Sequence, residues 1–447
     1  MSMQFTIDAW EPAEHDTLEI CKTAGALRIS VDEHSLTRNE DGWSQTVKQT
    51  VRVSAYPLAL WLAASWWRLR WEPLPSTRTA PSAWRLAHEI ASAGDGFLWP
   101  RIVFACDGVN MNVWSVPTTT ASEQPIQYLS DSHHVVSVED FTNAVDNFLY
   151  LVLDRLDAVQ LSQTELKSLW QEVLEERNDA DTSAYRRIEA MLGFDPDEVD
   201  EAVVATFLQF GHEIGGPALG EIATTCASVS LNPLAHLEQI HQVAKMKGIT
   251  GKFVVPDSAK NRPVPYHQRP WSRGRQLALM LREELGLNGE AIGDADLSAL
   301  AEVRQEDVFG ETTPTERLPL GIGIRKEQDD HVKLVLRKRN RVGRRFEFAR
   351  LLCDHLLSDE TDRWLPATDA KTARQKWQRS FAAEFLCPVD ALLCKLGDDF
   401  SEDAVDDAAS HFGVSERTVT SQLVNHGYLD VSELEEQTGP RSYPYLI

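Results

Sequence analysis

The sequence has no Cys-x-x-Cys pair. Its six cysteines (Cys21, Cys106, Cys226, Cys353, Cys387, Cys394) are scattered over 447 residues. That spacing suggests neither a disulfide framework nor a zinc knuckle, and they read as reduced thiols. The first residues, MSMQFTIDAW, lack a basic stretch followed by an apolar one, so a secretory signal is not expected. Long apolar runs are missing too: the richest, Tyr56 to Trp67, is twelve residues, against about 20 for a membrane-spanning helix. A cytoplasmic location is the expectation. Positive charge is scarce, with 44 Lys+Arg against 68 Asp+Glu, a formal net charge of -24 and a pI near 5.0. Such a field repels phosphate at a distance, which argues against general nucleic-acid or anionic-membrane binding. Internal repeats and low-complexity tracts are also absent.

What is present is the composition of a folded protein, 43% hydrophobic and 25% charged. The length predicts two to four domains. Nine of the thirteen tryptophans fall before residue 130. There Thr46 to Val53 alternates like a strand, and Ile102 to Phe104 and Asn112 to Trp114 flank the turn signal Asp107-Gly108. Residues 1–137 are therefore expected to form a Trp-rich α+β domain. From Phe141, Val145, Phe148, Leu149, Val152 and Leu156 recur at helical spacing behind a Ser137 cap. Residues 138–250 read as a helical middle region, interrupted at Leu192 to Val199 by Gly193 and Pro196. Residues 251–269, proline-containing and without apolar periodicity, read as an exposed connector. A third domain over 270–437 and a tail over 438–447 complete an expected multidomain α+β chain.

The third domain carries the chemistry-bearing pattern. After an amphipathic helix with Leu277, Leu281 and Leu285, a strand at Val332 to Leu336 leads into Arg344-Arg345-Phe346-Glu347-Phe348-Ala349-Arg350-Leu351-Leu352-Cys353-Asp354-His355-Leu356-Leu357. A second helix from Gln375 to Pro388 carries Phe381-Ala382-Ala383-Glu384-Phe385-Leu386-Cys387-Pro388. This layout resembles the ImmA/IrrE family of metallo-endopeptidases, whose hallmark is R-R-F-T-x-A-H-E-x-x-H-x-L-L followed by E-x-x-A-N-x-F-A-x-x-L-L-x-P. The resemblance covers residues about 270 to 430 and implies a zincin-like domain that ends in a helix-turn-helix-like pair.

The flanks match and the centre does not. In that motif two histidines at i and i+4 clamp zinc, the glutamate between them is the general base, and a carboxylate from the next helix completes the set. Here those positions are Arg350, Leu351, Asp354 and Gln375, with Trp377 as the alternative reading of the last. A guanidinium cannot ligate a metal, and leucine can neither accept a proton nor polarise water. No cofactor is expected, and Arg350 with Asp354 is expected to form an i, i+4 salt bridge in place of the clamp. His355, rotated about 100° from Asp354, is expected to pack at the core or rim.

Three other features bear on function. Arg325 to Arg350 holds ten Lys/Arg against four Asp/Glu. Within it Arg337, Lys338, Arg339, Arg341, Arg344 and Arg345 form a candidate docking face for an acidic protein partner. Ser401 to Tyr428 reads as helix, turn, helix, and its second helix offers Arg417, Thr418, Gln422 and Asn425 as candidate base-reading residues. His88-Glu89 and His212-Glu213 begin like H-E-x-x-H, but Ser92 and Gly216 occupy the second histidine positions. The function expected is that of an inactive, peptidase-like sensor or regulator that binds a protein partner, in a mobile-element or antiphage setting. The alternatives are an active zinc endopeptidase that cleaves a helix-turn-helix repressor, and a DNA-binding transcriptional regulator.

Overall fold

The computed structural model describes residues 2–77, 79–119, 124–227, 232–256, 269–287, 289–310, 318–326 and 331–430. The fold is mixed α+β and divides into two compact units, Met1–Pro75 with Ala80–Val204, and Ser76–Thr79 with Ala205–Ile447. The division differs from the expected layout, because the helical middle region splits between the two units. No described helix is long and apolar enough to cross a membrane.

In the first unit, strand Ala24–Val31 pairs antiparallel with Met3–Trp10 on one side and with Val51–Ser54 on the other. The expected strand over 46–53 is two short strands, Thr46–Lys48 and Val51–Ser54. The Asp107-Gly108 signal is the turn between Arg101–Cys106 and Asn110–Val116, with Gly108 at φ 100°. Ser137 caps the helix Val138–Ala158 by accepting from Asp140 N. Phe141, Val145, Phe148, Leu149, Val152 and Leu156 of that helix are buried in the core of this unit. Trp66, Trp67, Trp84, Trp99, Trp114 and Trp170 are buried as well, whereas Trp43 is 90% exposed.

In the second unit, a four-stranded antiparallel sheet runs in the order Ile249–Lys252, His331–Val335, Gly321–Arg325, Trp364–Ala367. The first of these strands lies across the start of the expected connector. Phe253 and Val255 that follow it are buried in the core of this unit and Val254 between them is exposed, while residues 257–268 lie outside the described residues. Helices Pro270–Glu284, Arg341–Leu357 and Ala373–Leu386 pack together beside the sheet. Phe348, Leu352, Phe381, Phe385 and Leu386 are fully enclosed, and Phe346 and Leu356 pack on their edge. The crossing of the first and third helices is close: a Cβ on Gly274 would sit 2.1 Å from Trp377 O.

Ser401 caps Glu402–Phe412, Gly413 turns in the left-handed region at φ 62°, and Ser415 caps Glu416–Asn425. The expected tail 438–447 lies outside the described residues.

Candidate functional site

Helix geometry places Arg350 and Asp354 on one face of Arg341–Leu357, against the first turn of Ala373–Leu386. Gln375 meets Arg350 there: Arg350 Nη2 donates to Gln375 Oε1 and to Thr368 O at 2.6 Å. Leu351 turns into the core and is fully buried. Trp377, the other reading of the fourth position, instead lies under the guanidinium of Arg273, 4.8 Å from its ring centroid.

The expected Arg350–Asp354 salt bridge does not form. Asp354 is gripped by Arg374, whose Nε and Nη2 donate to its two oxygens at 2.8 Å each, while Arg374 Nη1 reaches Asp362 at 2.8 Å. A bidentate fork from the neighbouring helix satisfies both carboxylate oxygens, which an arginine one turn back on the same helix does in poorer geometry. Burial works against the charge of Arg374, yet Asp354 and Asp362 more than offset this and hold its proton more tightly than usual. Burial raises the Asp362 carboxyl.

A further carboxylate, Glu221, enters from helix Gly216–Ala227. Its Oε2 accepts from Gln375 Nε2 and from Thr372 Oγ1, both at 2.9 Å. The Gln375 amide thus links the Arg350 cation to the Glu221 carboxyl, using its oxygen toward one and its nitrogen toward the other. Burial raises the Glu221 pKa and lowers that of Arg350. Arg350, Asp354, Gln375, Arg374, Glu221 and Asp362 are all buried.

Zinc, the metal implied here by the resemblance, does not fit these residues. Arg350 brings a permanent cation, Gln375 spends its oxygen on that cation, both oxygens of Asp354 are held by Arg374, and Leu351 has no donor atom. Among the described residues, no group of three or more His, Cys, Asp or Glu is placed to hold a metal ion. No protein-family model matches the chain, and no curated protein or solved structure matches it.

Much of the basic island is internal rather than a docking face. Arg337 N and Lys338 N donate to Glu347 Oε2, and the Arg337 guanidinium holds Asp369 bidentately at 2.8 and 2.9 Å. Arg344 bonds Val308 O and Asp307 O, while Arg345 bonds Asp294, Ile292 O and Gly413 O. Arg341 is exposed but pairs with Asp294 at 2.5 Å. The Arg344-Arg345 pair is therefore a brace, tying residues 292–294, 307–308 and 412–413 to one helix. Of the six candidates, Lys338 and Arg339 remain exposed with no ion pair among the described residues.

The candidate base-reading set also divides. Arg417 and Asn425 are exposed and Thr418 is half-buried, but Gln422 is buried and donates to Glu384 Oε2 at 3.1 Å and Cys387 O at 2.9 Å. Gln422 ties this helix to the domain and is not available to a base edge. His355 is half-buried against Phe253, with ring centroids 4.9 Å apart. His88 is buried under Trp84, with Nε2 3.0 Å from Glu72 and Nδ1 2.9 Å from Phe104 O. Its neighbour Glu89 pairs with Arg85 and Arg101. His212 and Glu213 are exposed.

Glu221, Arg374, Asp362 and Thr368 belong to the centre and were not anticipated. Arg374 left one signal in the sequence, as the cation beside Gln375 on the helix that faces Asp354. Glu221 left none, because 154 positions separate it from Gln375.

Proposed function

We propose that the chain is a catalytically inactive, ImmA/IrrE-like protein that acts by binding a protein partner, as a sensor or regulator in a mobile-element or antiphage setting. The observation that supports this reading is a buried polar network at the positions where the resemblance would put a metal clamp. Arg350 bonds Gln375, Asp354 bonds Arg374, and Glu221 closes the set. With the general-base position occupied by a buried leucine, the arrangement offers no group to activate water at that point. A domain of this shape retains surfaces and loses turnover.

The test is metal analysis of the purified full chain together with a protease assay on candidate repressors. The reading expects sub-stoichiometric zinc and intact repressor. Stoichiometric zinc, removed by a chelator together with proteolysis, would overturn it in favour of an active endopeptidase.

A further inference from the structure

Two helix faces in the second unit line an open cleft. Thr206, Gln209, Phe210 and Glu213 stand at i, i+3, i+4 and i+7 of Glu201–Ile214 and so share one face. Leu234, Leu237, Glu238 and His241 repeat that spacing on Pro233–Lys245. Together they enclose a cavity of about 310 Å³, at the small end of the range of about 300 to 1,000 Å³ in which ligand sites fall. Its inner part is apolar, because Phe210 and Leu237 are buried and Leu234 is half-buried. The Phe210 ring is held edge-to-face on the buried Trp364 at 5.1 Å and meets the His241 ring at 5.7 Å. Its outer part is polar, with Gln209, Glu213 and Glu238 exposed.

No cation among the described residues lies within ion-pair distance of Glu213 or Glu238. Glu238 Oε1 accepts from the Gln242 amide one turn along its own helix, which leaves its charge uncompensated. The cleft thus combines an apolar interior with an anionic rim, and its complement is an apolar group flanked by cations. Lysine and arginine suit such a rim, since each lays an aliphatic stem on apolar surface while its charged head stays at the edge. A second copy of this chain is disfavoured, because both copies would carry a net charge of -24. Each wall runs from i to i+7, about 10 Å at 1.5 Å per residue, which matches two turns of a helix laid along it.

We propose that this cleft binds a basic amphipathic helix of a partner protein. An apolar side chain of that helix seats against Phe210, Leu234 and Leu237, and its Lys or Arg side chains pair with Glu213 and Glu238. Helix-in-groove recognition uses anchors at i, i+3, i+4 and i+7, the spacing that both walls present. The net charge of the chain draws a basic segment in from a distance, and the rim carboxylates then fix its register. The proposal goes beyond the reading of the domain as inactive, since none of these residues belongs to the polar network around Gln375.

The experiment is fluorescence anisotropy of a labelled leucine–lysine peptide, amphipathic at helical spacing, titrated with the full chain. The unlabelled peptide, its leucine–glutamate counterpart, hexalysine and spermidine serve as competitors. Saturable binding that only the unlabelled leucine–lysine peptide displaces at comparable concentration is expected. Glu213→Gln together with Glu238→Gln should weaken it about tenfold, the size of two lost rim ion pairs. Glu283→Gln together with Glu284→Gln removes the same charge at exposed positions elsewhere in the unit and should leave binding unchanged. Leu234→Gln, which takes apolar surface from one wall, should weaken it several-fold. Glu213 and Glu238 are exposed, so their variants keep the test decisive even if Leu234→Gln does not fold. Absence of saturable binding, or equal loss in the two double variants, would overturn the proposal. So would displacement by hexalysine or spermidine at comparable concentration, which would show attraction by charge alone or a small polyamine as the occupant.

Discussion

Arg374 is the residue on which the centre depends most. It is buried and holds two buried carboxylates, Asp354 and Asp362, at 2.8 Å. Removing one partner of such a set leaves charge in the interior with no compensation, which costs roughly 3 to 5 kcal/mol. Arg374→Met should therefore lower the stability of the second unit by that amount in denaturant unfolding, and a loss below about 1 kcal/mol would show that Asp354 and Asp362 find other partners. Glu221 makes a prediction about pH. Burial raises its folded pKa, so the folded chain favours the neutral acid. The resulting stabilisation is complete below the ordinary glutamate value of about 4.3, and it is lost as pH rises through the higher folded value. Glu221→Gln, always neutral and able to keep accepting from Gln375 and Thr372, should flatten the fall in melting temperature above that range. Parallel pH profiles for parent and variant would contradict the assignment.

At the scale of elements, the helices depend on close contact at a few points. Gly274 lets Pro270–Glu284 cross Ala373–Leu386 with backbone nearly touching backbone, because a Cβ there would meet Trp377 O at 2.1 Å and Phe381 N at 3.0 Å. Gly274→Ala should force the helices apart and cost about 1 to 3 kcal/mol by overpacking. Phe381→Ala, at a fully enclosed ring, should cost about 3 to 5 kcal/mol through the cavity it leaves. Equilibrium unfolding checks both, and near-wild-type stability in either variant would show the packing to be looser than described. Helices elsewhere were legible in the sequence because period and caps are local: Ser137, Ser401 and Ser415 cap Val138–Ala158, Glu402–Phe412 and Glu416–Asn425 as their spacing predicts. The partners of charged side chains were not legible. Arg344 and Arg345 read as surface and are internal, because nothing local says that Asp294 and the carbonyls of Val308 and Gly413 come to meet them. For the same reason Asp354 was assigned to Arg350, its neighbour on the helix, rather than to Arg374 across the interface.

At the scale of the molecule, the two compact units replace the three expected domains because helices from 138–250 supply packing to both. Val145 and Phe148 serve the first core, and Glu221 serves the centre of the second. An apolar stripe announces that a helix is buried but not against what. Helix spacing made the meeting of Arg350 with Gln375 legible, and the part of Glu221 was not, since it lies far away in sequence. Side-chain hydrogen bonds and ion pairs fill the positions where the proposed resemblance to a metallo-endopeptidase would place a metal. Thermal unfolding of the full chain, followed with added zinc and with a chelator, tests it most directly. A metal bound only by the folded state at a hundred times its Kd would add about 2.7 kcal/mol of stability. The account predicts one unfolding curve for the second unit under both conditions, for the parent chain and for Asp354→Asn relative to itself; a melting temperature that rises with zinc, falls with chelator and loses that response in Asp354→Asn would contradict it.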